Sequence, residues 1–236
     1  MVPAMSCACT LVLETSTAHA TIARVGPDGV VEQRGFCSDR NHNALLFEPL
    51  EELLRACEPG EIGLVLVGSG PGSYSGTRVG IAAAQGVAIA LGCPAVAVPS
   101  ILAVPAADGG RTCLAIGDAR RGSYWSARVE DGCLTDEPVL CDADGLCAMV
   151  AAAAAAGIEV FAFEPPERFP LGAGLIGQVT LAIPDATRLW QVWTRTDEPT
   201  RRAWAAAIPQ PLYLKPPHIT PAKPPQWAAI PPTTTT

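Results

Sequence analysis

The residues best placed to do chemistry in this chain lie in one loop, Gly68-Ser69-Gly70-Pro71-Gly72-Ser73-Tyr74-Ser75-Gly76, with Arg78 close behind. Glycines at 70, 72 and 76 let the backbone take positive φ and let another group come close. A helix starting just beyond would point unpaired N–H groups back at the loop, where an anion or carboxylate is favoured. Two familiar phosphate loops are nevertheless missing. A Walker loop ends in Gly-Lys-Ser/Thr, and no lysine is near; the glycine spacing does not give GxGxxG with an acidic residue about twenty positions on. A tight strand-to-helix turn that holds no ligand explains the same glycines.

Other reactive groups are scattered. The histidines are His19, His42 and His218, and none sits in a Ser or Cys nucleophile motif. His19 falls on an expected strand and His42 at an expected helix start, so capping or core roles are expected for both. The nine cysteines, at 7, 9, 37, 57, 93, 113, 133, 141 and 147, are odd in number, form no CxxC and match no zinc-finger spacing. The start shows no basic segment followed by an apolar core and cleavage site. Free thiols in a reducing cytosol are expected, most of them small core residues.

The loop needs two elements to hold it. Ile62 to Val67 is short, apolar and uncharged, as a buried strand would be. Thr77 to Leu91 reads as an Ala-rich helix, with Ser75 as candidate N-cap and Gly92 as the stop. Gly80, Ala82, Ala83, Ala84, Gly86, Ala88 and Ala90 leave little bulk on any face, which suits close approach by two neighbours or a fully buried internal helix. Asn43 to Cys57 is the clearest amphipathic helix: Leu46, Leu50, Leu53, Leu54 and Cys57 form one stripe, capped by Asn41 or Asn43 and ended by Glu58-Pro59-Gly60. Leu45 and Phe47 widen its apolar surface, toward the sheet or toward another subunit.

Around these, residues 1–9 are expected to fray. Strands at 11–14, 20–25 and 30–36 form a meander with a turn at Gly26-Pro27-Asp28-Gly29, and a short strand at 95–98 follows the Ala-rich helix. The second half repeats the order: strands at 112–117, 123–129 and 134–141, a helix at 142–156 and a strand at 158–163. From Ala203 the chain is rich in Pro and Thr, and 221–236 is expected to be loosely ordered. Residues 79–107 carry no charge, but their glycines and prolines favour a helix, a strand and a loop over a membrane span.

With 236 residues, 49% hydrophobic and 17% charged, the chain has material for a large core and is not a disordered polymer. Its net charge of −7, with basic residues sparse and scattered, argues against gripping nucleic acid alone.

Five stretches carry a family resemblance. GPGSYSGTRVG at 70–80 resembles the GPGSFTGLRIG signature of the TsaB (YeaZ) family. LVLETSTAHATIARV at 11–25 resembles its LxIDTST hairpin, and Asn41-His42-Asn43 followed by LLFEPLEELL its HxxxLLPxIxxLL helix. IGDARRGSYWSARV at 116–129 is similar to its xxDARxGEVYxxxY hairpin, and PLYLKPP at 211–217 to its closing P-x-YLR. Residues 131–207 match only in length and general pattern.

The resemblance implies an α/β fold of two actin-like (ASKHA, ribonuclease H-like) half domains, each a mixed sheet with a three-strand meander plus helices. The expected division is 1–106, an N-terminal half with docking helices, 107–215, a smaller divergent half, and 216–236, a Pro/Thr-rich tail. It implies a non-catalytic scaffold subunit of bacterial tRNA threonylcarbamoyladenosine (adenosine 37) synthesis, cytoplasmic, docking on and activating a TsaD-like subunit alongside a TsaE-like ATPase. That interface would use His42, Leu46, Leu50, Leu53, Gly80, Ala83, Ala84 and Val87, and tRNA would be met only through the complex. An isolated chain could pair with itself through the same helices.

Actin-like ATPases place an Asp where this chain has Glu14, and one extra methylene is enough to disturb a metal–water network. The nucleotide or anion cleft would comprise Glu14, Thr15, Gly70, Gly72, Ser73, Gly76, Arg78, Asp118 and Arg120, with Asp118 and Arg120 pairing with each other or reaching the cleft. No cofactor is expected to bind tightly, though ATP or ADP could sit at the partner interface. The catalytic family's HxxxH metal motif is missing, since Leu46 follows His42 in that phase, so no metal site and no catalytic residue are assigned. A glycoprotease-like peptidase or weak ATPase acting alone is the alternative.

Overall fold

The computed structural model describes residues 8–38, 42–58 and 60–214. Residues 1–7 of the expected frayed start, the Asn41 cap, Pro59, His218 and the 216–236 tail lie outside the described residues; Cys9, expected to fray, is instead fully buried at the start of the first strand, its N–H donating to the Glu61 carbonyl at 2.8 Å.

The first sheet begins with an antiparallel meander, β1 (Cys9–Glu14), β2 (His19–Val25) and β3 (Val31–Cys37). β4 (Ile62–Gly68) then joins parallel to β1, and β5 (Ala95–Val98) parallel to β4, giving the order β3-β2-β1-β4-β5. The second sheet repeats this plan. β6 (Thr112–Asp118) pairs with β7 (Tyr124–Glu130), which carries the short β8 (Cys133–Leu134) and β9 (Val139–Cys141). β10 (Glu159–Ala162) joins parallel to β6 and β11 (Val179–Leu181) parallel to β10. The duplicated order expected from the sequence is present.

Period-two alternation decides what each strand faces. Leu11, Leu13, Val65 and Val67 point into a core under the helices α1 (His42–Leu45), α2 (Phe47–Arg55) and α3 (Tyr74–Leu91). Val12 and Leu66 point the other way, into a core shared by both sheets. In the second half, Val160 and Ala162 meet α4 (Ala143–Ala155), while Phe161 and Phe163 enter the shared core.

Several boundaries differ from expectation. The helix expected over 43–57 begins at His42 and is interrupted at Leu46. Pro49 has no N–H to give the Leu45 carbonyl, four residues back, so the ladder is broken there. Asn43 therefore lies inside the helix rather than capping it. α3 starts at Tyr74, and its N-cap is Ser73, not Ser75; the Ser73 side chain accepts from the Gly76 N–H. Gly92 ends it with a left-handed φ of 67°, as expected. The single strand expected over 134–141 is two, separated by Thr135-Asp136-Glu137-Pro138.

The larger surprise comes after residue 164. α5 (Ala173–Ile176), β11, α6 (Ala186–Arg195) and α7 (Glu198–Ala206) form regular structure where only a general pattern was expected, and α7 runs past Ala203 into the Pro/Thr-rich stretch. Asp185 caps α6 by accepting from the Arg188 N–H. α6 does not stay with the second half. It packs on β1, β2, β3, β4 and β5, and α7 packs on β5. Leu189, Val192 and Trp193, at i, i+3 and i+4, fill the shared core between the sheets. Thr21 Oγ1 accepts from the Ala186 N–H at 2.8 Å, and Arg195 donates to Asp108 at 2.9 Å and to the Leu102 carbonyl at 3.0 Å. Residues 186–206 thus belong spatially with the first sheet, which corrects their expected place in the second half.

Leu189→Ala opens a cavity in a core common to both sheets. It should cost about 2–5 kcal/mol. Urea unfolding followed by circular dichroism and by tryptophan fluorescence should show one coincident transition, shifted to lower urea.

Candidate functional site

The glycine turn closes on the turn that follows β1. The Ser73 N–H donates to the Ser16 carbonyl at 2.6 Å, and Thr15 Oγ1 donates to the Gly76 carbonyl at 2.9 Å. A Cβ at Gly72 would overlap the Ser16 carbonyl oxygen, at Gly76 the Thr15 carbonyl oxygen, and at Gly80 the Thr15 hydroxyl. Gly70 alone among the turn's glycines needs a positive φ, 82°. The glycines at 72, 76 and 80 are therefore required by contact with the chain itself.

Glu14, the last residue of β1, is fully buried. One carboxylate oxygen accepts from the Ser16 N–H at 2.8 Å and the other from the Ser100 hydroxyl at 2.7 Å. Ser100 Oγ also accepts from the Gly70 N–H at 3.0 Å, so a single hydroxyl ties the carboxylate to the glycine turn. Burial pushes the Glu14 carboxyl above its ordinary range, opposed by the hydrogen bonds from Ser16 and Ser100. Gly68 makes room for this arrangement, since a Cβ there would strike the Glu14 carboxylate. Glu14, Thr15, Gly70, Gly72, Ser73 and Gly76 are thus brought together as the sequence suggested, but facing one another.

Several of the turn's own donors are already engaged. The N–H groups of Gly70, Ser73, Gly76 and Thr77 already have protein acceptors. Beyond α7, the extended segment 207–214 crosses the turn: the Leu212 N–H donates to the Ser69 carbonyl at 2.9 Å, and Gln85 donates to the Pro209 carbonyl at 3.0 Å. Residues 211–214 of the closing motif lie here; 215–217 are outside the described residues. Arg78 is exposed and stays with its own helix, donating to the Tyr74 hydroxyl at 2.6 Å.

His42 is buried, and its Nε2 lies 2.9 Å from the Thr17 carbonyl. A carbonyl only accepts, so Nε2 carries the proton. The expected core role holds for His42 and not for His19, which is exposed on β2 beside Cys37, 3.5 Å away. The eight described cysteines are free thiols, and burial raises Cys9 and Cys113 to about 11.

At the second hairpin, Arg120 pairs with Asp118 at 3.0 Å, and Arg120, Arg121 and Gly122 all have positive φ. Glu164, just after β10, was not anticipated as a site residue. Its Oε2 is buried without a hydrogen-bond partner. Burial pushes this carboxyl up to about 6; Arg120 opposes the rise and Asp118 adds to it. Ser100 was missed as well, because a lone serine inside an apolar run gives no sequence signal.

The helical face also needs correcting. His42, Leu46, Leu50, Leu53, Gly80 and Ala84, six of the eight residues expected at a partner interface, are buried in the chain's own core. The amphipathic stripe points at the sheet it covers. What remains outside is different: Ile89 is 82% exposed, Phe47 58% and Leu45 41%. Ala82, Gly86 and Ala90 are exposed with them, while Ala83 and Val87 are half-buried. A groove of about 340 Å³ between the C-terminal ends of α2 and α3 is lined by Leu54, Cys57, Val87, Ala90 and Leu91.

Comparison with known proteins settles the relationship. A family model described as "TsaD: tRNA N6-adenosine threonylcarbamoyltransferase" matches residues 14–155, more than half of the chain. The chain belongs to this family. Its relatives include the tRNA threonylcarbamoyladenosine biosynthesis protein TsaB of Bacillus subtilis, 31% identical over 121 residues, covering 49% of this chain and 52% of that protein. TsaB of Escherichia coli is 28% identical over 128 residues, covering 51% and 55%. The chain spans about half the length of the curated relatives it matches. YeaZ from Pseudomonas aeruginosa has the same fold, with a TM-score of 0.58 at 23% identity over 80% of this chain and 93% of that one. A second crystal structure, of an uncharacterized protein similar to peptidase YeaZ from the same organism, reaches 0.63 at 22%, covering 88% and 100%. The TsaB (YeaZ) resemblance and the two-lobed actin-like fold both stand. The match to the family model starts at Glu14 and takes in the glycine turn, α1–α3 and the second hairpin.

Two results should follow. Gly72→Ala should lose about 1–3 kcal/mol, because backbone must move to admit the methyl group. Gly86→Ala, with nothing within 4 Å of its new Cβ, should gain about 0.5–1 kcal/mol in a helix interior; denaturant titration reads both. For Glu164, a carboxyl raised from 4.5 to about 6 on folding is favoured in its neutral form by the native state. That contribution is present in full below 4.5 and is lost as pH rises through 6, about 2 kcal/mol in all. Glu164→Gln should flatten this part of the stability–pH profile.

Proposed function

We propose that the chain is a non-catalytic subunit of the assembly that makes threonylcarbamoyladenosine at position 37 of tRNA. In this reading it docks on a TsaD-like catalytic subunit and activates it, in the cytoplasm, with a TsaE-like ATPase completing the set. tRNA is met through the complex, as the acidic balance of the chain suggests. ATP or ADP, if involved, sits at the interface with the partner rather than in a site of this chain alone.

One observation carries the reading: large apolar side chains of α2 and α3 stand in solvent, while the turn at the N-terminal end of α3 closes on the turn after β1. Ile89 and Phe47 are large, apolar and mostly exposed. Small neighbours at Ala82, Gly86 and Ala90 would let another helix come near. Exposed apolar side chains on such a helix pair suit docking, either of a partner or, in the isolated protein, of a second copy.

The test is co-elution of the purified chain with the TsaD-like protein of its own organism. Wild type should form a complex at micromolar concentration. Ile89→Asp should weaken it by about 30-fold or more, as expected for a central apolar contact, with its melting curve unchanged. Absence of association would defeat the proposal, and tight binding of ATP and magnesium by the lone chain would favour an independent ATPase.

A further inference from the structure

We propose that Cys37, paired with His19, is a modification site that takes up half of a small-molecule disulfide as a mixed disulfide. The two residues face each other across the edge of the first sheet, His19 opening β2 and Cys37 closing β3. Both are exposed, and the thiol sulfur lies 3.5 Å from Nδ1 of the imidazole.

The strand register brings nucleophile and base together. The Ser38 N–H donates to the Ala18 carbonyl at 2.8 Å. The next pair inward, His19 and Cys37, is therefore a non-hydrogen-bonded pair, the kind whose side chains stand closest in an antiparallel ladder. Thr17 pins the start of β2: its hydroxyl donates to the His19 carbonyl at 3.0 Å and accepts from the His19 N–H at 3.2 Å. The next residue of β3 on the same face is Gly35, exposed and without a side chain, which leaves room for a reagent beside the sulfur. Among the described residues no strand lies beyond β3 in the sheet.

A thiol attacks as its thiolate, and a base within hydrogen-bond reach supplies that form. Nδ1 of His19 accepts the thiol proton as the Cys37 sulfur attacks one sulfur of the disulfide. The reagent's S–S bond breaks, a new S–S bond forms to Cys37, and the other half leaves as a thiolate. That thiolate takes the proton back from the imidazolium and departs as a thiol. A free thiol reverses the exchange, so the site follows the balance of small disulfides and thiols around the protein. The other described thiols are placed differently. Cys9 and Cys113 are buried, whereas Cys133 is exposed; the described histidines lie elsewhere, His19 against Cys37 and His42 against the Thr17 carbonyl. Cys133 is thus an internal control for exposure without a base.

The glycine turn and the exposed face of α3 take no part, so this site stands or falls apart from the proposed function. Oxidised glutathione is the probe. The reduced, full 236-residue chain would be incubated with it and sampled over time. Remaining thiols would be blocked with N-ethylmaleimide, and the glutathione on each cysteine counted by peptide mass spectrometry. Cys37 should be modified about tenfold faster than Cys133, a modest share of what a positioned base can supply. His19→Asn keeps a polar side chain at the position but cannot accept the proton. It should bring Cys37 down to the Cys133 rate while leaving Cys133 itself unchanged, with the circular dichroism of wild type. Should His19→Asn fail to fold, the ratio of the two thiols in wild type still decides. Equal rates at Cys37 and Cys133, or a Cys37 rate that folded His19→Asn leaves untouched, would overturn the proposal.

Discussion

A fully buried carboxyl group ties this molecule's centre together. Glu14 ends the strand that runs through the middle of the first sheet, and its two oxygens are matched by one backbone N–H and one serine hydroxyl. Burying a carboxyl group is costly unless hydrogen bonds replace the solvent. The chain therefore brings three remote segments to one point: the turn after β1, the glycine turn and the helical turn at Ser100. The glycines are small because of that convergence. The N–H groups of Gly70, Ser73, Gly76 and Thr77 meet the chain's own carbonyls and hydroxyls.

The same pressure explains why the helices divide as they do. The leucine stripe of α1 and α2 and one side of α3 are drawn to the strands beneath them, because burying about 25 cal/mol per Å² of apolar surface outweighs most alternatives. What stays outside is what the sheet cannot reach. Ile89 and Phe47 are thus a remainder of the folding problem as well as a surface available to another protein.

Much of this was legible in the residues. The strand, glycine turn and helix at 62–92, the meander before them and its repetition after residue 112 follow from runs of Val and Leu, period-two alternation and Gly stops. Less legible was which face of a helix points inward. A stripe at Leu46, Leu50 and Leu53 identifies the apolar side but not what covers it, so an interior stripe reads the same as a docking stripe. The break at Leu46 was written in Pro49, though the leucine period masked it. Ser100 and Glu164 carry no pattern, since their roles arise from contacts across 86 residues in the first case and from burial in the second. α6 was hidden by its brevity and its arginines, because only Leu189, Val192 and Trp193 mark its inner side.

α6 has a further consequence for how the protein is made. The first sheet lacks one wall of its core until Leu189 and Trp193 arrive, and these lie more than ninety residues beyond β5. On a ribosome, that sheet would wait with its inner face bare while the entire second lobe is synthesised. Long-range closure of this kind slows folding and prolongs exposure of sticky surface. The newborn chain should therefore depend on chaperones more than its modest length suggests.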